Sequence, residues 1–230
     1  MRTIGMVGGL SWESTAEYYR LLNELVRDRL GGLHSARCVL SSVDFAEIEH
    51  LQAAGEWGKA GQVLADAARG LAAAGAEVLL ICSNTMHTVA DEVQAAAGIP
   101  LLHIADSTAR AVRADSVETV GLLGTAYTME QDFLRSRLTS HGLNVLVPGE
   151  ADRQAVHRII YDELCVGVVR EESRAVYREI IGRLVGEGAT GIILGCTEIE
   201  LLIAAADSPV PLFPTTRLHA EAAVDWALAE

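Results

Sequence analysis

Two pairs of similar segments repeat along the chain, and this repeat is the feature that most constrains its fold. Residues 75–85 (GAEVLLICSNT) align without a gap to residues 188–198 (GATGIILGCTE), at an offset of 113. Residues 4–9 (IGMVGG) resemble residues 120–125 (VGLLGT) at an offset of 116. Because the two offsets nearly agree, the repeat predicts two related halves that face each other across one site.

Apolar segments alternate with helix-forming segments in both halves. Strands are predicted at residues 4–7, 38–43, 77–81, 98–104, 117–123, 143–147, 191–194 and 210–213. Helices are predicted at residues 17–30, 57–74, 153–164, 173–185 and 216–228, with two more ending near 97 and beginning near 128. Strands that are apolar throughout and alternate with helices indicate parallel sheets covered on both faces.

We therefore predict an α/β fold with two pseudo-symmetric lobes. Each lobe is a short parallel sheet flanked by helices, and the active site is expected in the cleft between the lobes. The first lobe is predicted to comprise residues 1–104 and 209–230, and the second lobe residues 105–208.

Composition excludes several classes of function. The 230 residues carry a formal net charge of −13, which argues against a nucleic-acid partner, because phosphate binding needs clustered Lys and Arg. No apolar run reaches the ~20 residues that a membrane helix requires, and no signal peptide is recognised, so a cytoplasmic protein is expected. The four cysteines lack the pattern of a disulfide framework and are predicted to be thiols: Cys38, Cys82, Cys165 and Cys196.

Polar residues follow the predicted strands, where ligands bind in parallel sheets. Cys196 comes after the 191–194 strand and before a helix, which is expected to lower the pKa of its thiol and allow a thiolate to act as a base. A small buried apolar role is the alternative for this cysteine. The neighbouring turns offer groups that bind carboxylates or that only cap helices: Ser11, Ser83, Asn84, Thr85, Thr125, Thr197 and Glu198.

Metal and nucleotide sites are not predicted. The glycine-rich residues 5–11 lack the third glycine spacing of a dinucleotide fingerprint and the Gly-Lys-Ser/Thr ending of a phosphate loop. His34 with Cys38, and Cys82 with His87, have no second pair at zinc-like spacing. His103, His157, His219 and Cys165 are expected to have structural roles.

Four motifs give the chain a clear resemblance to the cofactor-independent aspartate/glutamate racemase family. They are residues 4–15 (IGMVGGLSWEST), 83–87 (SNTMH), 194–198 (LGCTE) and 219–223 (HAEAA). The resemblance implies two similar α/β lobes, no cofactor, a small amino-acid substrate and a homodimer. It also implies that Leu10 and Gln52 line the substrate site.

One catalytic position departs from the usual family pattern. Members of this family usually place a cysteine before Asn-Thr and another before Thr-Glu; here the second is Cys196, but the first is Ser83. Cys82 is adjacent, and neighbouring residues of a strand point to opposite faces, so Cys82 is predicted to face the core. The chain thus resembles an atypical branch, associated with L-aspartate and L-glutamate, in which a hydroxyl residue faces one cysteine. Many members have lysine where this chain has Cys165.

The resemblance implies α-proton transfer, with Cys196 as thiolate base and Ser83, directly or through water, as proton donor on the opposite face. The donors expected to hold the carboxylate and stabilise the enolate are Asn84, Thr85, Thr125 and Thr197. Related reactions stay open: hydantoin racemisation, malonate decarboxylation, or maleate isomerisation, against which Ser83 argues because that reaction needs a thiol nucleophile. A carboxylate-binding protein without turnover is the non-enzymatic alternative.

Overall fold

Three parallel strands form the sheet of the first unit. The computed structural model describes residues 1–229. The first unit comprises Met1–His103 and the chain from His219 onward. Its strands are β1 (Ile4–Gly8), β2 (Cys38–Ser42) and β3 (Val78–Ile81), in the order β2-β1-β3. Its helices are α1 (Trp12–Leu30), α2 (Phe45–Ala53), α3 (Trp57–Ala73) and α4 (Ala90–Ala97), with a 3-10 helix at Thr85–Val89.

Four parallel strands form the sheet of the second unit, Ile104–Leu218. The strands are β4 (Thr119–Gly124), β5 (Asn144–Leu146), β6 (Gly191–Gly195) and β7 (Leu212–Pro214), in the order β5-β4-β6-β7. The helices are α5 (Ile104–Ala114), α6 (Ala126–Glu130), α7 (Asp132–Ser140), α8 (Glu150–Asp162), α9 (Glu171–Gly186) and α10 (Ile199–Leu202), with 3-10 helices at Leu164–Val166 and Ala205–Asp207. The last helix, α11 (Thr215–Leu228), begins in this unit and ends in the first.

The two sheets share a strand order, as the sequence repeat predicts. β1 and β4 are each the first strand of their unit, and each lies between the second and third strands. Met6 of β1 lies opposite Leu80 of β3, and Leu122 of β4 lies opposite Ile193 of β6. The predicted α/β class, with two parallel sheets flanked by helices, is confirmed.

Both faces of β1 and β3 are buried, which explains why these two strands carry no polar side chains. Met6 and Leu80 pack into a cluster with α1 and α11, whereas Val7 and Ile81 pack into a cluster with α3 and α4. All four side chains are fully buried. Since each buried aliphatic side chain contributes about 1.5–3 kcal/mol, the sheet is a rigid platform for the turns at its carboxyl edge.

The chain after residue 208 differs from the predicted domain assignment. Residues 209–218 were predicted to belong to the first lobe, but β7 pairs with β6 of the second unit. Phe213 packs over Gly191 so closely that a Cβ at Gly191 would lie 2.7 Å from the Phe213 ring. The boundary therefore falls within α11, because the apolar strand β7 completes the second sheet before the chain leaves it.

The predicted strand at residues 98–104 is reduced to one β-bridge, between Leu79 and Leu101. Leu79 N donates to Pro100 O at 2.8 Å and Leu102 N donates to Leu79 O at 3.0 Å. Proline has no N–H to extend the ladder, and α5 begins at Ile104, so the pairing stops after one bridge.

Helices α2 and α5 were not predicted. None of the helices described in residues 1–229 is long and apolar enough to cross a membrane.

The Gly9 turn brings the backbone after β1 against the segment after β2. Gly9 has φ +77°, and a Cβ there would lie 2.1 Å from Val43 O and 2.6 Å from Val43 N. Gly98, which caps α4 at φ +68° and ψ +12°, has no atom within 4 Å of such a Cβ. The two positions thus separate the cost of a positive φ from the cost of a steric clash.

We expect Gly9→Ala to be far more destabilising than Gly98→Ala. A left-handed alanine costs about 1–2 kcal/mol, which sets the expected loss at Gly98. Gly9→Ala adds a backbone clash, so its loss of unfolding free energy should reach about 4 kcal/mol or more. Urea unfolding of both variants followed by circular dichroism measures the difference. Equal losses would show that the Gly9 turn can shift away from Val43.

Candidate active site

The turn after β1 is held by hydroxyl groups at the start of α1. Thr15 Oγ1 accepts a hydrogen bond from Gly9 N at 2.8 Å and donates to Ser11 O at 3.1 Å. Ser11 caps α1, with its Oγ accepting from Ser14 N at 3.2 Å, and its φ of +53° is uncommon for a residue with a side chain. Leu10 is buried in the apolar cluster beside α3. The positive φ of Ser11 has no signature in the sequence.

The turn after β3 carries Ser83, Asn84 and Thr85. Ser83 is partly buried; its Oγ accepts from Met86 N at 3.4 Å, and its carbonyl accepts from His87 Nδ1 at 2.7 Å. Asn84 and Thr85 are buried. Ser14 Oγ of α1 donates to Cys82 O at 3.2 Å, which ties this turn to the one after β1. The turn holding Ser83 is therefore fixed from two sides.

Gln52 reaches the same edge from α2. Its side chain is 4% exposed, and its Nε2 donates to Met86 Sδ at 3.0 Å. Its buried Oε1 has no hydrogen-bond partner among residues 1–229. A buried amide oxygen without a partner is costly, so this atom can accept a hydrogen bond from a bound ammonium or amide N–H group.

Cys82 faces the core, as predicted from strand alternation. It is fully buried in the cluster between the first sheet, α1 and α11. Burial raises the pKa of its thiol far above the usual range. Cys82 is therefore a protonated apolar residue at neutral pH and not a substitute for a thiol at position 83.

Cys82 should make the protein less stable at alkaline pH. In the unfolded chain a thiol titrates near pH 8.5, while burial keeps Cys82 protonated in the folded protein. A raised folded-state pKa gives stability that is complete below about pH 8.5 and falls above it, by up to about 1.4 kcal/mol per pH unit. Between pH 8 and 10, Cys82→Ala should flatten the decline in unfolding free energy measured with urea. Cys38→Ala, on the half-buried edge strand, is the control and should have a smaller effect. Parallel curves of unfolding free energy against pH for Cys82→Ala and wild type would contradict the assignment of the decline to Cys82.

In the second unit, Cys196 and Glu198 form a close pair after β6. Cys196 is partly buried, and its Sγ donates a hydrogen bond to Glu198 Oε2 at 2.9 Å. Glu198 is 5% exposed. The sequence placed Glu198 among the substrate-binding residues, which stays a prediction; the structure shows its carboxylate bonded to the thiol. The Cys-x-Glu spacing across a tight turn is the signal that could have indicated this contact.

The pKa of Cys196 is raised, which corrects the expectation of a lowered value. Burial is the main cause, and the negative charge of Glu198 adds to it, followed by that of Cys165. The helix after Cys196, α10, has only four residues, so its dipole is weak. The thiol is therefore protonated at rest, and Glu198 is the adjacent acceptor for its proton.

Threonine hydroxyls complete the carboxyl edge of the second sheet. Thr125 follows β4, caps α6 and accepts from Thr128 N at 3.2 Å. Thr197 shares a hydrogen bond with Thr216 of α11 at 2.8 Å. Both Thr125 and Thr197 are buried, and Gly124 lies opposite Gly195 in the sheet, which brings the two turns together. Thr125 and Thr197 thus each have a structural hydrogen bond as well as a place at the edge of the sheet that carries Cys196.

The other candidate groups have structural partners. His157 Nδ1 accepts from Ala126 N at 3.1 Å, and burial lowers the pKa of this histidine. His219 bonds Tyr18 and Leu102 O, both at 2.8 Å. Among residues 1–229 no group of three or more His, Cys, Asp or Glu is arranged to hold a metal ion. Ser83 and the Cys196–Glu198 pair are therefore kept as the candidate catalytic groups at these edges.

Two solved structures resemble this chain over its whole length. A Yersinia pestis protein, provisionally described as an Asp/Glu racemase, has a crystal structure 56% identical in sequence, with a TM-score of 0.94 over 100% of both chains. An aspartate racemase homologue from Pyrococcus horikoshii OT3 is 33% identical, with a TM-score of 0.88 over 100% of both chains.

A curated relative and a family model extend the comparison. The broad specificity amino-acid racemase RacX of Bacillus subtilis (strain 168) is 22% identical over 172 residues, which are 73% of this chain and 72% of RacX. The model of the Asp/Glu/Hydantoin racemase family matches residues 7–223. With this match over nearly the whole chain, the protein belongs to the Asp/Glu/hydantoin racemase family.

Proposed function

We propose that the protein is a cofactor-independent racemase of aspartate and glutamate. The observation that carries the proposal is the Cys196–Glu198 hydrogen bond of 2.9 Å at the carboxyl edge of the second sheet, in a chain of the racemase family. A thiol bonded to a carboxylate can lose its proton to that carboxylate and then act as a base. The names of the Yersinia pestis and Pyrococcus horikoshii proteins support an acidic amino acid as substrate.

Proton removal begins at Cys196 in this mechanism. The thiol proton moves to Glu198, and the thiolate takes the α-proton from one face of the amino acid. Hydroxyl and amide donors of Asn84, Thr85, Thr125 and Thr197 stabilise the enolate while it exists, which is where preorganised donors contribute most. Gln52 Oε1, which has no hydrogen-bond partner among residues 1–229, accepts from the substrate ammonium group.

Ser83 completes the reaction by delivering a proton to the opposite face, directly or through water. A serine hydroxyl is a much poorer base than a thiolate, so the two directions differ in kcat and in KM. The ratio of the two kcat/KM values is fixed by the equilibrium constant and cannot change. We further propose that the protein acts as a homodimer, as the family resemblance implies, and that it works in the cytoplasm.

The test is proton exchange on L- and D-aspartate and L- and D-glutamate in D2O. Proton NMR follows loss of the α-proton, and chiral chromatography follows inversion. Exchange with inversion supports the proposal. No exchange on any of the four would exclude acidic amino-acid racemisation; hydantoins and arylmalonates would then separate the related reactions, and isothermal titration would detect a binding protein without turnover.

Replacing Ser83 tests the hydroxyl separately. We expect Ser83→Ala to lower inversion by roughly 10²-fold, the lower range for one general acid or base. Exchange with retention should persist for the enantiomer whose α-proton faces Cys196. Ser83→Cys should restore inversion, because a second thiol can transfer protons in both directions. Unchanged inversion in Ser83→Ala would show that water alone serves that face.

A further inference from the structure

Tyr177 of α9 holds a buried hydroxyl that the proposed mechanism does not use. The side chain is fully buried, and its hydroxyl has no hydrogen-bond partner among residues 1–229. Burying a hydroxyl without a partner costs free energy, and nearly all buried polar groups in folded proteins avoid this cost. A donor kept in this position therefore needs an explanation.

The surroundings of Tyr177 are acidic groups of the candidate site. Cys196 and Cys165 both pack against the apolar cluster that contains Tyr177. The 3-10 helix Leu164–Val166, which carries Cys165, contacts α10 next to Cys196 and Glu198. Glu163 accepts from Ser173 Oγ at 2.6 Å, and Ser173 lies one turn before Tyr177 on α9. Three groups that can carry negative charge, Cys196, Cys165 and Glu163, are thus close enough to Tyr177 to act on its phenol electrostatically.

The phenol stays protonated in this environment. Burial raises the pKa of Tyr177 well above its usual value, and negative charge at Cys196, Cys165 and Glu163 raises it further. Tyr177 is therefore a hydrogen-bond donor throughout the neutral range.

Formation of the Cys196 thiolate creates a need for such a donor. When the thiol proton moves from Sγ to Glu198 Oε2, the negative charge moves to a sulfur atom in a desolvated site. A thiolate there requires a donor, and a hydrogen bond to a charged group is stronger than one between neutral groups. The geometry points to Tyr177 as a positioning residue whose hydroxyl donates a hydrogen bond to the Cys196 thiolate. While Cys196 is protonated, this hydroxyl has no partner among residues 1–229.

This inference rests on the proposed function only for its role in turnover, because the state of the thiol can be measured without substrate. The test is Tyr177→Phe, which removes the hydroxyl and keeps the ring. Iodoacetamide alkylation of Cys196, followed by peptide mass spectrometry as a function of pH, reports the thiolate fraction. We expect the Cys196 profile to move to higher pH by about one unit, the change that one lost hydrogen bond of ordinary strength produces.

Turnover provides the second readout. In an active racemase, Tyr177→Phe should lower kcat about tenfold, with KM little changed, because the bond forms only when the thiolate does. The melting temperature should stay equal or rise, since a buried hydroxyl without a partner is removed. Tyr18→Phe is the matched control: it also removes a buried hydroxyl, but that hydroxyl bonds His219 at 2.8 Å. It should lower stability and leave the Cys196 alkylation profile unchanged.

Two results would overturn the inference. An unshifted Cys196 profile in Tyr177→Phe would show that the hydroxyl does not serve the thiolate, whatever the turnover. A shift confined to the Cys165 peptide would assign the hydroxyl to Cys165 instead. If wild-type protein shows no racemisation but the Cys196 profile shifts as expected, the proposed function fails while the Tyr177 contact stands.

Discussion

Cys196→Ala is expected to abolish α-proton exchange, with a loss of at least about 10⁴-fold in kcat, the upper range for one acid-base group. The physical reason is that a methyl group cannot take up a proton, and the hydroxyl of Ser83, the proposed donor for the other face, is too weak a base to start the reaction. Proton NMR in D2O with L-aspartate and L-glutamate measures the loss. Binding of the same amino acids by isothermal titration should be largely retained, because the proposed carboxylate donors are untouched.

Cys38→Ala is the matched control for Cys196→Ala. Cys38 is a half-buried thiol on the edge strand β2 of the other unit, so its replacement should leave exchange near the wild-type rate. Melting temperatures of both variants should stay close to that of the wild type. If Cys196→Ala retained exchange, another thiol would be the base; Cys165→Ala would then be the next variant to measure.

Glu198→Gln is expected to separate thiol acidity from catalysis. The negative charge of Glu198 contributes to the raised pKa of Cys196, so its removal should lower that pKa and speed alkylation of Cys196 at neutral pH. Turnover should nevertheless fall roughly 10³-fold, because an amide cannot take the thiol proton that now passes across the 2.9 Å hydrogen bond. The expected result is faster alkylation of Cys196 together with slower turnover.

One result would contradict the proposed role of Glu198 as proton acceptor. If Glu198→Gln raised both alkylation and turnover, Glu198 would only suppress the thiolate and would not accept its proton. Glu172→Gln controls for loss of one negative charge in the second unit: Glu172 is exposed on α9 and should change neither rate. Peptide mapping is needed in each case, since four thiols can react.

Much of the fold could be predicted because repeated local patterns set it. The aligned segments at residues 75–85 and 188–198 become β3 and β6, each the strand whose end carries a candidate catalytic residue. Buried parallel strands must be apolar on both faces, so their sequence signal is strong. Cys82 could likewise be assigned to the core, since side chains alternate along a strand.

The two errors in strand assignment have different causes. The 98–104 segment has the composition of a strand, but its pairing stops at one bridge because α5 begins at Ile104. The segment around Val210 was assigned to the wrong lobe, since only the packing of Phe213 on Gly191 fixes its sheet. The Phe213–Gly191 contact has no local signature, whereas the short pairing of residues 98–104 follows from Pro100 and from the nearby start of α5.

The candidate site also has features that the sequence predicts and features that depend on the packing of the folded chain. The identities of Ser83 and Cys196, and their places after two equivalent strands, follow from the repeat alone; their catalytic roles stay a prediction. The pKa of Cys196 could not be derived in this way, because burial and the carboxylate of Glu198 raise it, and both depend on how the turn folds. The buried hydroxyl of Tyr177 is likewise visible only once α9 packs against the second sheet.

The sequence by itself determined the α/β class, the doubled parallel sheet and the order of reactive residues, because periodicity and repetition are local properties of the chain. Only the tertiary structure decided which proton acceptor contacts Cys196, which strand completes each sheet and which polar atoms are buried without partners. Strand pairing and burial depend on contacts between residues far apart in the chain, and the Cys196–Glu198 contact depends on the conformation of one turn. The desolvation that accompanies these contacts exists only in the packed structure.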